Sequence, residues 1–359
     1  MAENNQENES PGGIGGGGAP SVPGGFRSIY GDDTANIYYG TAGVEHFYGY
    51  GGNDKFYGGG GGDTYYGGSG QDTVSYWTAT AGVKVYLSHM WDNTGAAAGD
   101  VYYEMEVVDG STFEDTIEGD DFSNIFWADR GNDILVGLGG HDTLMGADGD
   151  DYLNGGIGSD VLDGGNGRDT ASYWDAWSGV RVYLNGSKAN GGAAAGDTII
   201  DVEVVDGSRF GDVLVGNTGN NTFWGDAGDD IMDGGAGADV LNGGSGFDSF
   251  YFTTALGGSN VDQITEFNPW DDGIKLSTKV FTGILSQSEG SHLASWQFTN
   301  GTKATSSNHR IIHDKLTGDL YFDKDGSGAA AQVKFATLQK GLDLSSSNFF
   351  TYNPDQYSI

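Results

Sequence analysis

A nine-residue period runs through most of the first 250 positions, and it constrains the fold more than any other feature of the chain. It is clearest in GYGGNDKFY (49–57), GGGGGDTYY (58–66) and GGSGQDTVS (67–75), which follow Gly-Gly-x-Gly-x-Asp-x-U-x with U large and apolar. The same register returns in GLGGHDTLM (137–145), GADGDDYLN (146–154), GGIGSDVLD (155–163) and GGNGRDTAS (164–172), and again from 207 to 251. Looser units are GDDTANIYY (31–39), GTAGVEHFY (40–48) and those starting at 110, 119 and 128. The blocks 31–75, 110–172 and 207–251 thus hold five, seven and five units. A fixed short period means a quasi-one-dimensional array in which each unit buries its apolar face against its neighbours.

The residue types assign a role to each position. Glycine serves where the backbone turns with positive φ and where loops stack closely. The last three residues of a unit read as a short strand. Its apolar eighth residue points inward, because side chains alternate along a strand. Two units make a coil of 18 residues, so loops 18 apart share an edge. The expected architecture is all-β, a parallel solenoid.

Asp at the sixth position offers a short carboxylate to an ion held between loops. The candidate metal ligands are Asp54, Asp63, Asp72, Asp115, Asp133, Asp142, Asp151, Asp160, Asp169, Asp212, Asp230, Asp239 and Asp248. The Asp–Asp pairs at the 18-residue spacing are 54/72, 115/133, 133/151, 142/160, 151/169, 212/230 and 230/248. Mixed pairs are Asn36/Asp54, Glu45/Asp63, Asn124/Asp142 and Asn221/Asp239, and Ala81 stands 18 residues after Asp63. An oxygen-only donor set suits Ca²⁺ rather than Mg²⁺ or a transition metal, and these pairs imply roughly seven to eleven ions.

The spaces between blocks are themselves related. DTVSYWTATAGVKVYL (72–87) aligns with DTASYWDAWSGVRVYL (169–184) at an offset of 97 residues. The inserts 76–109 and 173–206 each open on Tyr-Trp, at Tyr76-Trp77 and Tyr173-Trp174, and carry Trp91 and Trp177 in one copy each. Two readings of these aromatics stand: packing of widened coils, or an exposed platform for a glycan or other partner.

Composition marks the boundaries. Acids outnumber bases 51 to 16, for a net charge of −35, and 40 of the acids are Asp. Residues 252–359 carry 11 acids and 8 bases, so nearly all the excess lies before 252. That shift separates the repeat region, 31–251, from a C-terminal region with strand-like alternation in GDLYFD (318–323) and QVKFATL (332–338). Residues 1–30, rich in Asn, Glu, Gly and Pro, read as a flexible lead segment. The acidic sign argues against nucleic-acid binding, and with no Cys there is neither disulfide nor thiolate chemistry. MAENNQENES lacks the basic and apolar regions of a secretory signal, so an exported chain is expected to be addressed elsewhere in its sequence.

The nonapeptides resemble the RTX, or haemolysin-type, calcium-binding repeats of Gram-negative secreted proteins. GSNVDQITEFNPWDDGIKLS (258–277) and HDKLTGDLYFDKDGSGAAAQVKFATL (313–338) resemble the C-terminal domain that follows such repeats in serralysin-type proteins. The resemblance implies a Ca²⁺-filled parallel β-roll. It also implies an extracellular location and export by a type I secretion apparatus that reads a signal near 342–359. Departures are Asn36, Glu45, Asn124 and Asn221 at the Asp position, and Phe113 and Ala128 at Gly positions.

Catalytic signatures are wanting. His309-Arg310-Ile311-Ile312-His313 has Arg where a zinc protease needs Glu, and its neighbours suggest a strand. No G-x-S-x-G elbow occurs. Asp323-Lys324-Asp325-Gly326-Ser327 begins like an EF-hand loop but has no Glu at the twelfth place, and reads as a turn between strands. The expectation is a secreted, non-enzymatic calcium-binding protein that meets a glycan, cell-surface or host partner. The alternative is a membrane-active or bacteriocin-like effector.

Overall fold

The computed structural model describes residues 26–285 and 290–354. Most of the expected lead segment and the last five residues of the expected export signal lie outside these. Among the described residues there is no α-helix; strands and a few single 3₁₀ turns carry the chain. The fold is an all-β parallel β-roll, and it divides into two compact units. One comprises residues up to 170 with 197–201, the other 171–196 with 202–359.

In the first unit, Arg27–Tyr30, Glu45–Gly51, Thr64–Ser69 and Val101–Tyr103 form a parallel sheet in that order. A second sheet runs from Ile37–Tyr39 through Lys55–Tyr57, Thr73–Ser75, Val107–Asp109, Ile125–Trp127, Thr143–Asp148 and Val161–Asn166 to Thr198–Ile200. Lys84–Tyr86, Thr116–Glu118, Ile134–Val136 and Tyr152–Asn154 form a third parallel ladder. Within the repeats the register advances by 18 residues per coil, as in Ile37↔Lys55 and Ile134↔Tyr152. The eighth residues point inward as the alternation requires: Phe47, Phe56, Tyr65, Phe126, Leu135, Leu144, Leu153 and Leu162 are completely buried. Sequence, local strand and core are thus linked by one rule of alternation.

The lead segment ends earlier than expected. Arg27–Tyr30 pairs with Glu45–Gly51, Phe26 stacks on His46 and Tyr30 on Tyr48. A parallel ladder and two ring contacts order what composition alone marks as solvated.

The inserts join the same ladders through longer turns. Asp63 reaches Asp100 over 37 residues, Asp72 reaches Glu106 over 34, and Val83 reaches Asp115 over 32. Of their aromatics, Tyr76 and Tyr173 are buried, while Trp77, Trp91, Trp174 and Trp177 are exposed. Packing of widened coils therefore holds for the tyrosines and not for the tryptophans.

The second unit stacks Val180–Tyr183, Val213–Val215, Ile231–Asp233, Ser249–Phe252, Gly273–Ser277 and Phe349–Tyr352 in parallel. Alongside run Val204–Asp206, Thr222–Trp224, Val240–Asn242, Asp262–Thr265 and Val333–Thr337. The parallel ladder thus continues past residue 251, where the repeats stop. A short antiparallel pair links Val180–Tyr183 to Gly191–Gly192 within the insert. Past the repeats, antiparallel pairing joins Asp319–Phe322 to Val333–Thr337 and Ile311–Asp314. The Asp323–Ser327 segment lies in the connection of that hairpin, as a turn. Phe281 meets Phe322 and Phe335 edge-on, and Phe252 meets Phe335 likewise, making an aromatic core.

Candidate metal centre

The carboxylates at the sixth position are buried: Asp63, Asp72, Asp169 and Asp230 completely, and the other nine candidates to within 2 %. Each is placed by the loop that precedes its strand. The contact between coils pairs one loop's carboxylate with the main chain of the loop one coil earlier. Asp72 Oδ1 accepts the Asp54 N–H at 2.8 Å, Asp151 Oδ1 that of Asp133 at 2.8 Å, and Asp248 Oδ1 that of Asp230 at 3.0 Å. The 18-residue spacing therefore appears as a ladder of charge-assisted hydrogen bonds between coils.

The other carboxylate oxygen behaves differently. Oδ2 of Asp54, Asp72, Asp133, Asp142, Asp151, Asp160, Asp230, Asp239 and Asp248 is buried without a hydrogen-bond partner. A buried polar atom without a partner is costly, and a carboxylate more so. In every loop but that of Asp133, which begins with Ala128, these oxygens face the space that the first glycine of the loop leaves open. A Cβ on Gly49 would lie 2.3 Å from Asp54 Oδ2 and 2.4 Å from the Gly67 carbonyl oxygen of the next coil. At Gly137 the corresponding distances are 2.2 Å to Asp142 Oδ2 and 2.6 Å to the Gly155 carbonyl. At Gly225 they are 2.2 Å to Asp230 Oδ2 and 2.7 Å to the Gly243 carbonyl. A negative oxygen and a carbonyl oxygen thus converge on a cradle that any larger residue would fill.

No group of three or more His, Cys, Asp or Glu side chains gathers as a metal cluster among the described residues. The donor set of each cradle is one carboxylate and main-chain carbonyls. That is hard oxygen chemistry, and the residues present fit a divalent cation of the calcium type. Burial, with neighbouring carboxylates adding, pushes Asp133 and Asp142 up to about 7 and Asp230 up to about 8. Cation-free burial therefore opposes ionisation.

Three candidates are partnered differently. Asp115 accepts from the Val83 and Ser111 amides and the Ser111 hydroxyl, and Asp212 accepts likewise from Val180 and Ser208. Asp63 Oδ2 accepts the Tyr65 hydroxyl at 3.4 Å. Sequence spacing assigned Asp63 to Ala81. The structure instead joins the Asp63 amide to Asp100 Oδ1 at 2.7 Å, because the insert supplies the next coil. Asp100, Glu106, Asp197, Asp262 and Asp272 extend the ladder by the same bond. The sequence carries traces of these: GAAAGD recurs at 95–100 and 192–197, ending in Asp100 and Asp197, EVVDGS recurs at 106–111 and 203–208, and Asp262 and Asp272 lie within 258–277.

His309 and His313 do not form a site. His313 is buried in a strand with Nδ1 3.0 Å from Asn300 Oδ1, and His309 Nδ1 accepts the Thr305 amide.

A family model for the RTX calcium-binding nonapeptide repeat matches residues 39–74, 109–144, 136–171, 206–241 and 233–251. These are RTX repeats. Each matched segment contains carboxylates with the unpartnered oxygen, so the RTX assignment and the cradles coincide along the chain. Among solved structures, the extracellular lipase LipA from Serratia marcescens is similar over 66% of this chain, with 17% identity and a TM-score of 0.20. The likeness spans 40% of that lipase. No curated protein matches the sequence.

Proposed function

We propose that this RTX protein is a secreted, non-enzymatic protein whose roll folds when Ca²⁺ enters the loop cradles, and that it acts outside the cell by binding a partner. The observation that carries this reading is the row of buried, unpartnered Asp Oδ2 atoms beside inter-coil carbonyls. A chain with net charge −35 repels itself, and a bound cation satisfies those oxygens in their ionised form without adding side chains. Since the cradle requires stacked coils, binding free energy becomes folding free energy. Extracellular modules of this kind bind with Kd of about 10⁻⁴–10⁻³ M. Low internal Ca²⁺ keeps the chain unfolded for a type I apparatus, which reads residues 342–359, and higher external Ca²⁺ folds it. The exposed Trp77, Trp91, Trp174 and Trp177 supply amphipathic contact area for a glycan or cell-surface partner.

Circular dichroism of the full chain over a Ca²⁺ titration tests the folding step. A cooperative gain of β signal in the millimolar range is expected, and a spectrum indifferent to chelator overturns the reading. Export is tested separately: loss of residues 342–359 should retain the protein in cells that have an intact type I apparatus.

A further inference from the structure

The loops fall into two hydrogen-bonding classes, set by their second residue. In the closed class its N–H turns back onto the loop's own sixth side chain. Ser111 N–H donates to Asp115 Oδ2 at 2.6 Å, Asp120 N–H to Asn124 Oδ1 at 3.1 Å, and Ser208 N–H to Asp212 Oδ2 at 2.7 Å. The second side chain then accepts from the fourth residue: Phe113 N–H to Ser111 Oγ, Phe122 N–H to Asp120 Oδ1, Phe210 N–H to Ser208 Oγ. Loops ending at Asn36, Glu45 and Asn221 share both bonds.

In the open class the second residue has a left-handed backbone, which turns its N–H away from the carboxylate. Tyr50 (φ 73°), Asp129 (φ 77°), Leu138 (φ 72°), Ala147 (φ 78°) and Asp226 (φ 65°) adopt it without being glycine. Glycines at 68, 156, 165, 235 and 244 do so in the remaining loops. In nine of these ten loops the Asp Oδ2 is buried without a partner. Gly59 is also left-handed, but there the Tyr65 hydroxyl fills the cradle, 1.9 Å from where a Gly58 Cβ would sit.

The two classes are ordered along the chain. Each block opens with two closed loops, one full coil: 36 and 45, 115 and 124, 212 and 221. Open loops follow. We infer that calcium is taken by the open loops and refused by the closed ones, so that the first coil of each block is a metal-independent template on which the calcium-dependent coils stack. This rests on the calcium reading above and divides its thirteen candidate carboxylates: Asp115 and Asp212 hold no ion because their oxygens already have donors, and Asp63 none because a phenol occupies its cradle.

The test counts Ca²⁺ bound per full-length chain by equilibrium dialysis at saturating Ca²⁺. Asp142→Asn, in an open loop, should lose at least one ion and raise the folding midpoint several-fold. Asp115→Asn, in a closed loop, should keep the wild-type count. The double variant Ser111→Gly/Phe113→Gly, which removes the closing turn and keeps Asp115, should gain an ion. Equal losses in the two single variants, or no gain in the double variant, overturn the inference while leaving calcium-dependent folding intact. A wild-type chain that binds no Ca²⁺ overturns both.

Discussion

The coils of 128–172 and the hairpin region of 298–352 are both β structure, but different physics holds them. In the first, each coil buries one apolar residue per nine, with Leu135 and Leu153 in one file and Leu144 and Leu162 in another, and beside these files lie carboxylates with an unpartnered oxygen. In the second, Phe322 and Phe335 are buried against the ring of Phe281, and the acid Asp319 has its cation built in, with Lys334 Nζ at 2.5 Å. A strand-rich fold can be closed by an aromatic core with its own counter-charge. It can also leave the charge open and depend on what the surroundings supply. The contrast teaches that the roll is the conditional part of the molecule.

The sharpest way to break this contrast is chelation. Hydrogen exchange of the full chain should show 128–172 losing protection completely with chelator, while 311–337 keeps most of its own. Simultaneous loss in both stretches would show that the hairpin region depends on the loaded roll.

A large effect of the opposite kind is expected from Phe335→Ala. It removes a buried ring that meets Phe252 and Phe281 edge-on, and should cost about 3–5 kcal/mol in the C-terminal region. The Ca²⁺ midpoint of the roll, followed by calcium titration with a fluorescent reporter, should stay in place.

A smaller shift separates loops within the roll. Asp151 accepts the Asp133 amide and has an unpartnered oxygen, whereas the Asp63 oxygen already accepts the Tyr65 hydroxyl. Asp151→Ala should raise the Ca²⁺ midpoint several-fold and Asp63→Ala by much less. Matching midpoints would erase the difference between an open and a filled cradle.

The smallest effect is acid stabilisation, and its sign differs between the two regions. Asp133, Asp142 and Asp230 have folded-state pKa values of about 7, 7 and 8, above the ordinary 3.8, so their neutral form suits the cation-free fold. Their contribution is fully present below about pH 4 and is lost as pH rises through 7 to 8. For Asp319, burial pulls upward most strongly, but the hydrogen bonds from Lys334, Thr317 and Tyr321 together with the Lys334 charge outweigh it and hold the carboxyl below its ordinary value. Its contribution is present above about pH 4 and is lost as the pH falls further. Chelated protein taken from pH 8 to pH 4.5 should therefore regain roll structure by circular dichroism, and no gain would place the cost of the cation-free roll elsewhere.

Much of this was legible in the residues. The period of nine fixed the 18-residue coil, the inward eighth residue and the carboxylate ladder, because each follows from strand alternation and repetition alone. Even the closed loops left a trace: Phe at the fourth place in 110–118, 119–127 and 207–215 marks a turn without the usual glycine. The inserts were harder. Nothing local to Asp63 says that Asp100, 37 residues on, caps its amide, since an insert can leave and re-enter a ladder at any length that closes the coil.

What the sequence by itself determined is the repeat, the inward side chains and the identity of the oxygen donors. Only the tertiary structure decided which donors stay open. Asp120, Asp129 and Asp226 hold the same position in their units, yet Asp120 turns its N–H onto Asn124 while Asp129 and Asp226 are left-handed. The bond from the next coil is common to all three, Gly139 to Asp120, Asp148 to Asp129 and Ser245 to Asp226, so what separates them is the turn each folded loop makes: the Asp120 carboxylate accepts the Phe122 N–H, whereas the loops of Asp129 and Asp226 place left-handed Gly131 and Gly228 at the fourth position.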